Sequence, residues 1–194
     1  MNRLEIKFDI TNIDPRKLIS ELNLVKEYRD RTITSIYYDT DNFKFFYDSE
    51  EGLTPRKKVR LRYYDNLKEK KNLEIKFTQP SYRQKITYKN INESSIKKVF
   101  NEINLSEKLK PSACITYKRK YFKNKTGRFN IDYQISFKKN DLNQEACKLR
   151  LSSKKILEFK TLQIDKKFNF LSNFPLKETR SSKYCDAMQI LYNL

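Results

Sequence analysis

The chain contains no histidine. Imidazole acid–base chemistry and histidine metal ligands are therefore excluded. Glycine occurs only as Gly52 and Gly127. That is too few for the glycine-rich loops that cradle phosphates in P-loop and dinucleotide-binding folds. The three cysteines, Cys114, Cys147 and Cys185, are far apart and odd in number. They fit reduced, mostly buried thiols of a cytosolic protein better than a disulfide framework or a zinc site. No stretch approaches the roughly 18 apolar residues of a membrane span. The start, Met1-Asn2-Arg3-Leu4-Glu5, lacks a signal-peptide core. The expected location is the cytoplasm, and a peripheral membrane partner reached through basic residues stays open.

What the chain has in excess is positive charge, a formal net of +18 over 194 residues. Such an excess favours an anionic partner: nucleic acid, phosphorylated metabolites, polyphosphate or an acidic membrane surface. The many Lys, Asn and Ile residues suggest an AT-rich genome, which accounts for part of the lysine count but not for the arginine pairs. Hydrophobic residues still reach 38%, with 13 Tyr and 13 Phe. That is enough apolar area for a globular protein rather than a disordered one. No linker, low-complexity tract or repeat of fixed period divides it, so a single domain over residues 1–194 is expected.

The charge is patterned. Lys, Arg or Glu recurs at every second residue in Arg3-Leu4-Glu5-Ile6-Lys7, Arg60-Leu61-Arg62, Leu73-Glu74-Ile75-Lys76, Arg83-Gln84-Lys85, Tyr117-Lys118-Arg119, Arg128-Phe129-Asn130-Ile131-Asp132 and Glu158-Phe159-Lys160. A strand sends residues i and i+2 to one face, about 6.5–7 Å apart. Each segment would put charges on one face and mostly apolar side chains on the other. The fold class this suggests is α+β: an antiparallel closed β-barrel of about eight or nine strands with flanking helices and a charged lumen, with a flat sheet exposing its Lys and Arg as the competing picture.

Strands are predicted near 3–10, 32–39, 57–64, 72–78, 83–88, 113–122, 128–136, 145–151 and 155–161, with 57–64 and 72–78 forming a hairpin around Asp65-Asn66. Asp14-Pro15 opens a short helix to about Leu22. Residues 42–48 read as either a strand or a turn of helix. A helix over 93–103 carries Ile96, Val99, Phe100 and Ile103 at helical spacing, capped by Ser94 or Asn92. A last helix near 182–192 carries Tyr184, Ala187, Met188 and Leu191.

Arg60 and Arg62 place two guanidiniums on one face, each a fork suited to bidentate phosphate contact. Glu74 shares a face with Lys76, and Glu158 with Lys160. A cation-rich cavity holding a few carboxylates is what metal-assisted phosphoryl transfer requires. Lys and Arg neutralise phosphate oxygens, while Glu holds Mg²⁺ or Mn²⁺.

These segments, in this order, resemble the VTC domain, the polyphosphate polymerase domain of the vacuolar transporter chaperone complex. That domain belongs to the triphosphate tunnel metalloenzymes, alongside the CYTH proteins. The resemblance is carried by Arg3-Leu4-Glu5-Ile6-Lys7-Phe8, Ser35-Ile36-Tyr37-Tyr38-Asp39-Thr40, Lys58-Val59-Arg60-Leu61-Arg62-Tyr63-Tyr64, Leu73-Glu74-Ile75-Lys76, Tyr117-Lys118-Arg119-Lys120-Tyr121-Phe122, Ile156-Leu157-Glu158-Phe159-Lys160 and Ser182-Lys183-Tyr184. It implies phosphate-binding roles for Lys7, Arg60, Arg62, Lys76, Arg119, Lys160 and Lys183. Glu158 falls at the family's metal-binding glutamate, with Glu74 as a second metal candidate, and Asp132 would assist the metal or pair with an arginine. Glu5, Lys85 and Ser182 join as substrate-binding candidates. Tyr37, Tyr38 and Tyr63 read as packing rather than nucleotide stacking. CYTH members open with Glu-x-Glu-x-Lys, whereas Arg3 stands first here, which points away from a CYTH-type triphosphatase or cyclase.

The implied activity is transfer of the γ-phosphate of ATP to polyphosphate, with Mn²⁺ or Mg²⁺ as cofactor. ATP or another triphosphate and polyphosphate are the implied partners. The alternatives are a triphosphatase, in which water attacks, and a non-catalytic polyphosphate-binding module. Nucleic acid is disfavoured, because the arginines alternate within central strands and no recognition helix stands out. The oligomeric state is not legible.

Overall fold

The structure is a computed structural model, and it describes residues 4–102, 108–139, 148–162 and 176–194. Arg3, Ile103 and Cys147 lie outside the described residues, as do positions 145–147 of the strand expected at 145–151. The elements run β1 Leu4–Asp9, α1 Pro15–Glu21, β2 Val25–Asp39, α2 Lys44–Glu50, β3 Arg56–Tyr64, β4 Asn72–Thr78, β5 Arg83–Tyr88, α3 Glu93–Glu102, β6 Lys110–Asn124, β7 Gly127–Lys139, β8 Arg150–Ser152, β9 Ile156–Thr161, β10 Lys177–Glu178 and α4 Lys183–Tyr192. No helix among the described residues is long and apolar enough to cross a membrane.

The strands pair in the order β10-β1-β9-β7-β6-β2-β3-β4-β5, with β8 beside β7. This corrects the expectation of a closed barrel. Among the described residues the sheet is open, of ten strands with four helices, and no register joins β5 to β10. One end is a two-residue strand that offers only Phe8↔Glu178 and Asp9↔Lys177. The other is β5, whose Arg83, Gln84, Lys85 and Thr87 are exposed, the cationic edge by which open sheets resist further pairing. Alternating charge reports which face a side chain takes. It is the same in an open sheet as in a closed one, which is why the pattern misled on closure.

Two compact units emerge. One comprises Met1–Thr32, Tyr117–Ile135 and Leu151–Ser181; the other comprises Ile33–Thr116, Ser136–Arg150 and Ser182–Leu194. In the first, Phe8, Phe129, Ile131, Leu157 and Phe159 turn from the strands onto Leu18 of α1 and the neighbouring Leu22 and Leu24. Phe129 and Phe159 stack with centroids 4.6 Å apart. In the second, Val59 and Leu61 of β3 and Leu73 and Ile75 of β4 pack with Ile96, Val99 and Phe100 of α3 and Phe45 of α2. These are the apolar halves of the alternating segments, so each charged face has a dry core behind it.

Local chemistry accounts for the ends of the helices. Asp14 accepts from Arg16 N at 2.9 Å, with Pro15 in the first turn of α1. Asn92 Oδ1 accepts from Ser95 N at 2.9 Å at the start of α3. The ambiguous 42–48 segment is helix α2, and it has no side-chain bond from its own N-cap, Phe43. Its first amides are taken from further away, by Asp39, which accepts from Phe45 N at 2.9 Å and Phe46 N at 3.0 Å. The first half of β2, Val25-Lys26-Glu27-Tyr28-Arg29-Asp30-Arg31, lies outside the expected strand because it is mostly exposed and has no apolar alternation.

Gly127 begins β7 where β9 passes closely. A Cβ there would run into the Lys160 carbonyl oxygen and lie 2.8 Å from the Phe159 ring. Gly127→Ala is expected to cost about 1–3 kcal/mol, the scale of overpacking, read as a lower midpoint of urea unfolding. An unchanged midpoint would show that β9 can yield at this point.

Candidate functional site

Strand register assembles a charged face in each unit. In the first unit β9 lies between β1 and β7. Lys160 stands opposite Glu5 and Arg128, and Glu158 opposite Lys7 and Asn130. Glu158 is buried. Its Oε1 meets Lys160 Nζ at 2.5 Å and its Oε2 meets Arg119 Nη2 at 3.1 Å. Arg119 also forks onto Asp132, Nε to Oδ1 at 2.6 Å and Nη2 to Oδ2 at 2.8 Å. Its guanidinium lies 5.5 Å from the centroid of the Tyr117 ring. Lys160 also approaches Glu5 at 3.9 Å. Lys7 Nζ donates to the Ser181 carbonyl at 3.0 Å. Burial pushes the Glu158 carboxyl up, but Arg119, Lys160 and Lys7 outweigh it and hold the group well below the usual carboxylate range.

The face of the second unit is built on β3 between β2 and β4. Arg62 stands opposite Ser35 and Asn72, Arg60 opposite Tyr37 and Glu74, and Lys58 opposite Lys76. Lys76 is in turn opposite Lys85 of β5. Glu74 is buried, and both its oxygens are taken. Oε2 meets Arg60 Nε at 2.6 Å and Nη2 at 2.5 Å, and Arg62 Nη1 at 3.6 Å; Oε1 meets Lys85 Nζ at 2.6 Å. Burial raises the Glu74 carboxyl, yet Arg60, Arg62 and Lys85 bring it down to about 2. Arg62 Nε donates to Ser35 Oγ at 3.0 Å and Arg60 Nη1 to the Tyr37 hydroxyl at 2.9 Å. Lys58 Nζ donates to Ser182 Oγ at 2.9 Å, and Ser182 is also the N-cap of α4. Lys183 opens that helix, half-buried.

The sequence candidates thus fall into two sets. Glu5, Lys7, Arg119, Glu158 and Lys160 belong to the first unit, and Arg60, Arg62, Glu74, Lys76, Lys85, Ser182 and Lys183 to the second. Asp132, which the sequence left between metal and arginine, is fully buried against Arg119. Sequence reasoning missed Lys58 as a member of the lysine row; it read Tyr37 as packing, and Tyr37 does pack, on Tyr184, but its contact with Arg60 went unread. Pairing register was the missing signal in both cases.

The two sets differ in balance. In the first unit Lys7, Arg119 and Lys160 meet the carboxylates Glu5, Asp132 and Glu158. In the second, Lys58, Arg60, Arg62, Lys76 and Lys85 share a face, through strand register, with the carboxylate Glu74. Among the described residues no group of three metal-ligating side chains comes together. A divalent ion at Glu158 fits only with a shell completed by phosphate oxygens and water, which is how Mg²⁺ is commonly held. Glu74 and Glu158 alike have both oxygens engaged by cations, so either carboxylate would take a metal only by giving up one of those pairings.

The VTC domain family model matches residues 4–192. No curated protein sequence matches the chain. The fold is similar to that of a Bacillus halodurans protein described as a candidate adenylate cyclase, at 15% identity over 94% of this chain and 96% of that one, with a TM-score of 0.61. The PH1819 protein of Pyrococcus horikoshii shares it at 14% identity, over 97% and 99% of the two chains, with a TM-score of 0.58. A Hippeastrum protein described as a candidate adenylyl cyclase with a dominant triphosphatase activity shares it at 13% identity, over 95% and 93%, with a TM-score of 0.55.

Glu74 ties the second unit's stability to pH. Its folded pKa, about 2, lies below the ordinary 4.5. Its contribution is therefore present in full above about pH 4.5 and is lost as pH falls toward 2. Glu74→Gln should cost about 1–3 kcal/mol at pH 7, the scale of stranding charged partners. Chemical denaturation at pH 7 and at pH 3 should show the gap between variant and wild type narrowing in acid. A gap that stayed constant would mean that Glu74 carries no such linkage.

Proposed function

Because the chain belongs to the VTC domain family, we propose that it binds a triphosphate and transfers its terminal phosphate, making polyphosphate from the γ-phosphate of ATP. The carrying observation is the second unit's face, where Lys58, Arg60, Arg62, Lys76 and Lys85 meet across strand register and Glu74 alone among their paired strand positions opposes them. A polyanion supplies the negative charge that this face lacks. Arg60 and Arg62 take phosphate oxygens by their planar forks, and Lys76, Lys85 and Lys183 neutralise others as point charges. Ser182 shares the α4 terminus with Lys58 and adds a hydroxyl. Glu74 acts as the counter-ion that keeps the two guanidiniums together when no phosphate is bound.

The first unit's face, better supplied with carboxylates, is by itself the one suited to a divalent ion. Glu158 would hold Mn²⁺ or Mg²⁺ there, with phosphate oxygens and water completing the shell. Such an ion neutralises phosphate oxygens as charge shifts to the leaving group. Lys7, Arg119 and Lys160 fix the Glu158 carboxylate and contact phosphate oxygens. In the reaction a terminal oxygen of the acceptor chain forms a bond to the γ-phosphorus. The bond from that phosphorus to the β–γ bridging oxygen breaks, and ADP leaves with the electron pair.

An ionised phosphate acceptor needs no general base. Water does, and the buried carboxylates Glu74 and Glu158 are too acidic to serve well at neutral pH. This favours a phosphate acceptor over water. The second reading, hydrolysis of a triphosphate, draws support from the triphosphatase activity described for the Hippeastrum protein of similar fold.

Purified protein incubated with ATP and Mn²⁺ or Mg²⁺ should yield a ladder of phosphate chains resolved by size. The ladder should fall about 100-fold in Arg60→Ala, the scale of losing a transition-state charge contact. It should disappear in Glu158→Ala with the circular dichroism spectrum unchanged, and on chelation of the metal. Orthophosphate as sole product would replace polymerisation by hydrolysis. Polyphosphate binding without turnover of ATP would reduce the protein to a binding module.

A further inference from the structure

Within the second unit, three residues that the phosphate chemistry does not use are joined in one buried network. Asp39 is fully buried. It accepts from Thr40 N at 2.7 Å, from the two first-turn amides of α2, and from the Tyr184 hydroxyl. Tyr184, itself buried in α4, stacks on Tyr37 with ring centroids 4.7 Å apart and planes 15° from parallel. Tyr37 receives Arg60 Nη1 on its hydroxyl, and the Arg60 guanidinium carbon lies 5.8 Å from the ring centroid. The Tyr37 backbone is fixed as well: Ser112 Oγ donates to its carbonyl at 3.1 Å, and Tyr192 donates to the Ser112 carbonyl at 2.9 Å.

The consequence for Arg60 is geometric. Glu74 holds its Nε and Nη2 side, and Tyr37 holds Nη1. A guanidinium gripped along two edges keeps one plane and one direction. Glu74 alone would allow the fork to swing about the carboxylate. The Tyr37 ring cannot give way, because Tyr184 lies flat against it and is tied through Asp39 to the start of α2.

We propose that Tyr37, Tyr184 and Asp39 form a positioning unit that fixes the Arg60 guanidinium in the plane in which it takes phosphate. The proposal rests on the reading of Arg60 as a phosphate-binding group. Tyr37 acts through Arg60 and is a positioning residue, as are the two behind it. The groups facing the Tyr37 hydroxyl and ring are Arg60, Arg62 and Lys58 of β3 and Tyr184 of α4. Burial pushes the Tyr37 phenol up, but the three cations of β3 bring it down to about 8, so the contact has a spectroscopic signature of its own.

The test combines absorbance titration at 295 nm with calorimetric binding of inorganic tripolyphosphate. In wild type one tyrosine should ionise near pH 8, absent in Tyr37→Phe and shifted upward in Arg60→Gln. Tyr37→Phe, which keeps the ring and its stack, should weaken tripolyphosphate binding roughly tenfold, the scale of one hydrogen bond to a charged group. In an Arg60→Gln background the same change should have no further effect, the non-additivity of residues that act as one. Tyr184→Phe should weaken binding in the same direction, and it too should lose its effect in that background. A Tyr37→Phe effect undiminished in the Arg60→Gln background, or a titration unmoved by Arg60→Gln, overturns the proposal. Absence of tripolyphosphate binding in wild type overturns the phosphate reading on which it rests. A titration still sensitive to Arg60→Gln then identifies that reading, rather than the Tyr37–Arg60 contact, as what failed.

Discussion

Like charges placed two residues apart on a strand must be held against their own repulsion, and the charged faces of this protein depend on how that is done. Two guanidiniums about 6.7 Å apart repel by about 2.5 kcal/mol at an effective dielectric of 20. Arg60 and Arg62 stand in that relation on β3. The antiparallel register brings Glu74 opposite Arg60 and within 3.6 Å of Arg62, so one carboxylate offsets both. In the first unit Glu158 does the same for Arg119 and Lys160. With the charges settled on one face, alternation leaves Val59, Leu61, Leu73 and Ile75, or Leu157 and Phe159, to form a dry core on the other. Moving either carboxylate by one residue would put it into that core and leave the cations unopposed.

The two faces solve the same problem to different degrees. Glu5, Asp132 and Glu158 come close to matching the cations around them, and the result is a compact lattice of pairs centred on Arg119. In the second unit Glu74 is outnumbered, and the row Lys58–Lys76–Lys85 runs across three strands in register. Lys85 turns back to Glu74, the carboxylate that Arg60 and Arg62 already share, and Lys58 turns to the Ser182 hydroxyl. Part of the +18 carried by the sequence is thus concentrated where strand pairing prevents it from spreading out. This asymmetry, more than the total charge, is why the phosphate reading is assigned to the second unit and the metal reading to the first.

Much of this was legible in the residues. The alternating segments marked β1, β3, β4, β5 and β9, and Asp14-Pro15 and the Ile96, Val99, Phe100 stripe marked α1 and α3, because each signal is local and periodic. Closure was not legible: alternation carries the face of a residue and says nothing of whether the first and last strands meet. The exposed half of β2 has no apolar period to read. Glu74 and Asp132 lie 14 and 13 residues from the arginines they pair with, Arg60 and Arg119, separations that only strand pairing brings together. The division of the candidates between two units follows from the same registers, since Lys7 and Lys160, or Arg60 and Lys76, share a face only once their strands are paired.

The tyrosines show where residue-type reasoning reaches its end. Tyr37 has the composition of a packing residue, and it is buried among aromatics as one would be. Its hydroxyl nonetheless meets Arg60, and a buried phenol without such a partner would be costly. Asp39 poses the same question from the other side. Burial pushes its carboxyl up, against the hydrogen bonds of Tyr184 and the amides of Phe45, Thr40 and Phe46 that favour the charged form. Those bonds explain how an acid can lie fully buried with no cation among the described residues bonded to it, and they do two jobs with one side chain. Asp39 caps α2, which has no cap of its own, and it anchors Tyr184 of α4 against the ring that holds Arg60. The geometry of a half-buried guanidinium is in this way set by a carboxylate that never approaches it, through a chain of contacts that runs from the start of one helix, across two stacked rings, to a strand.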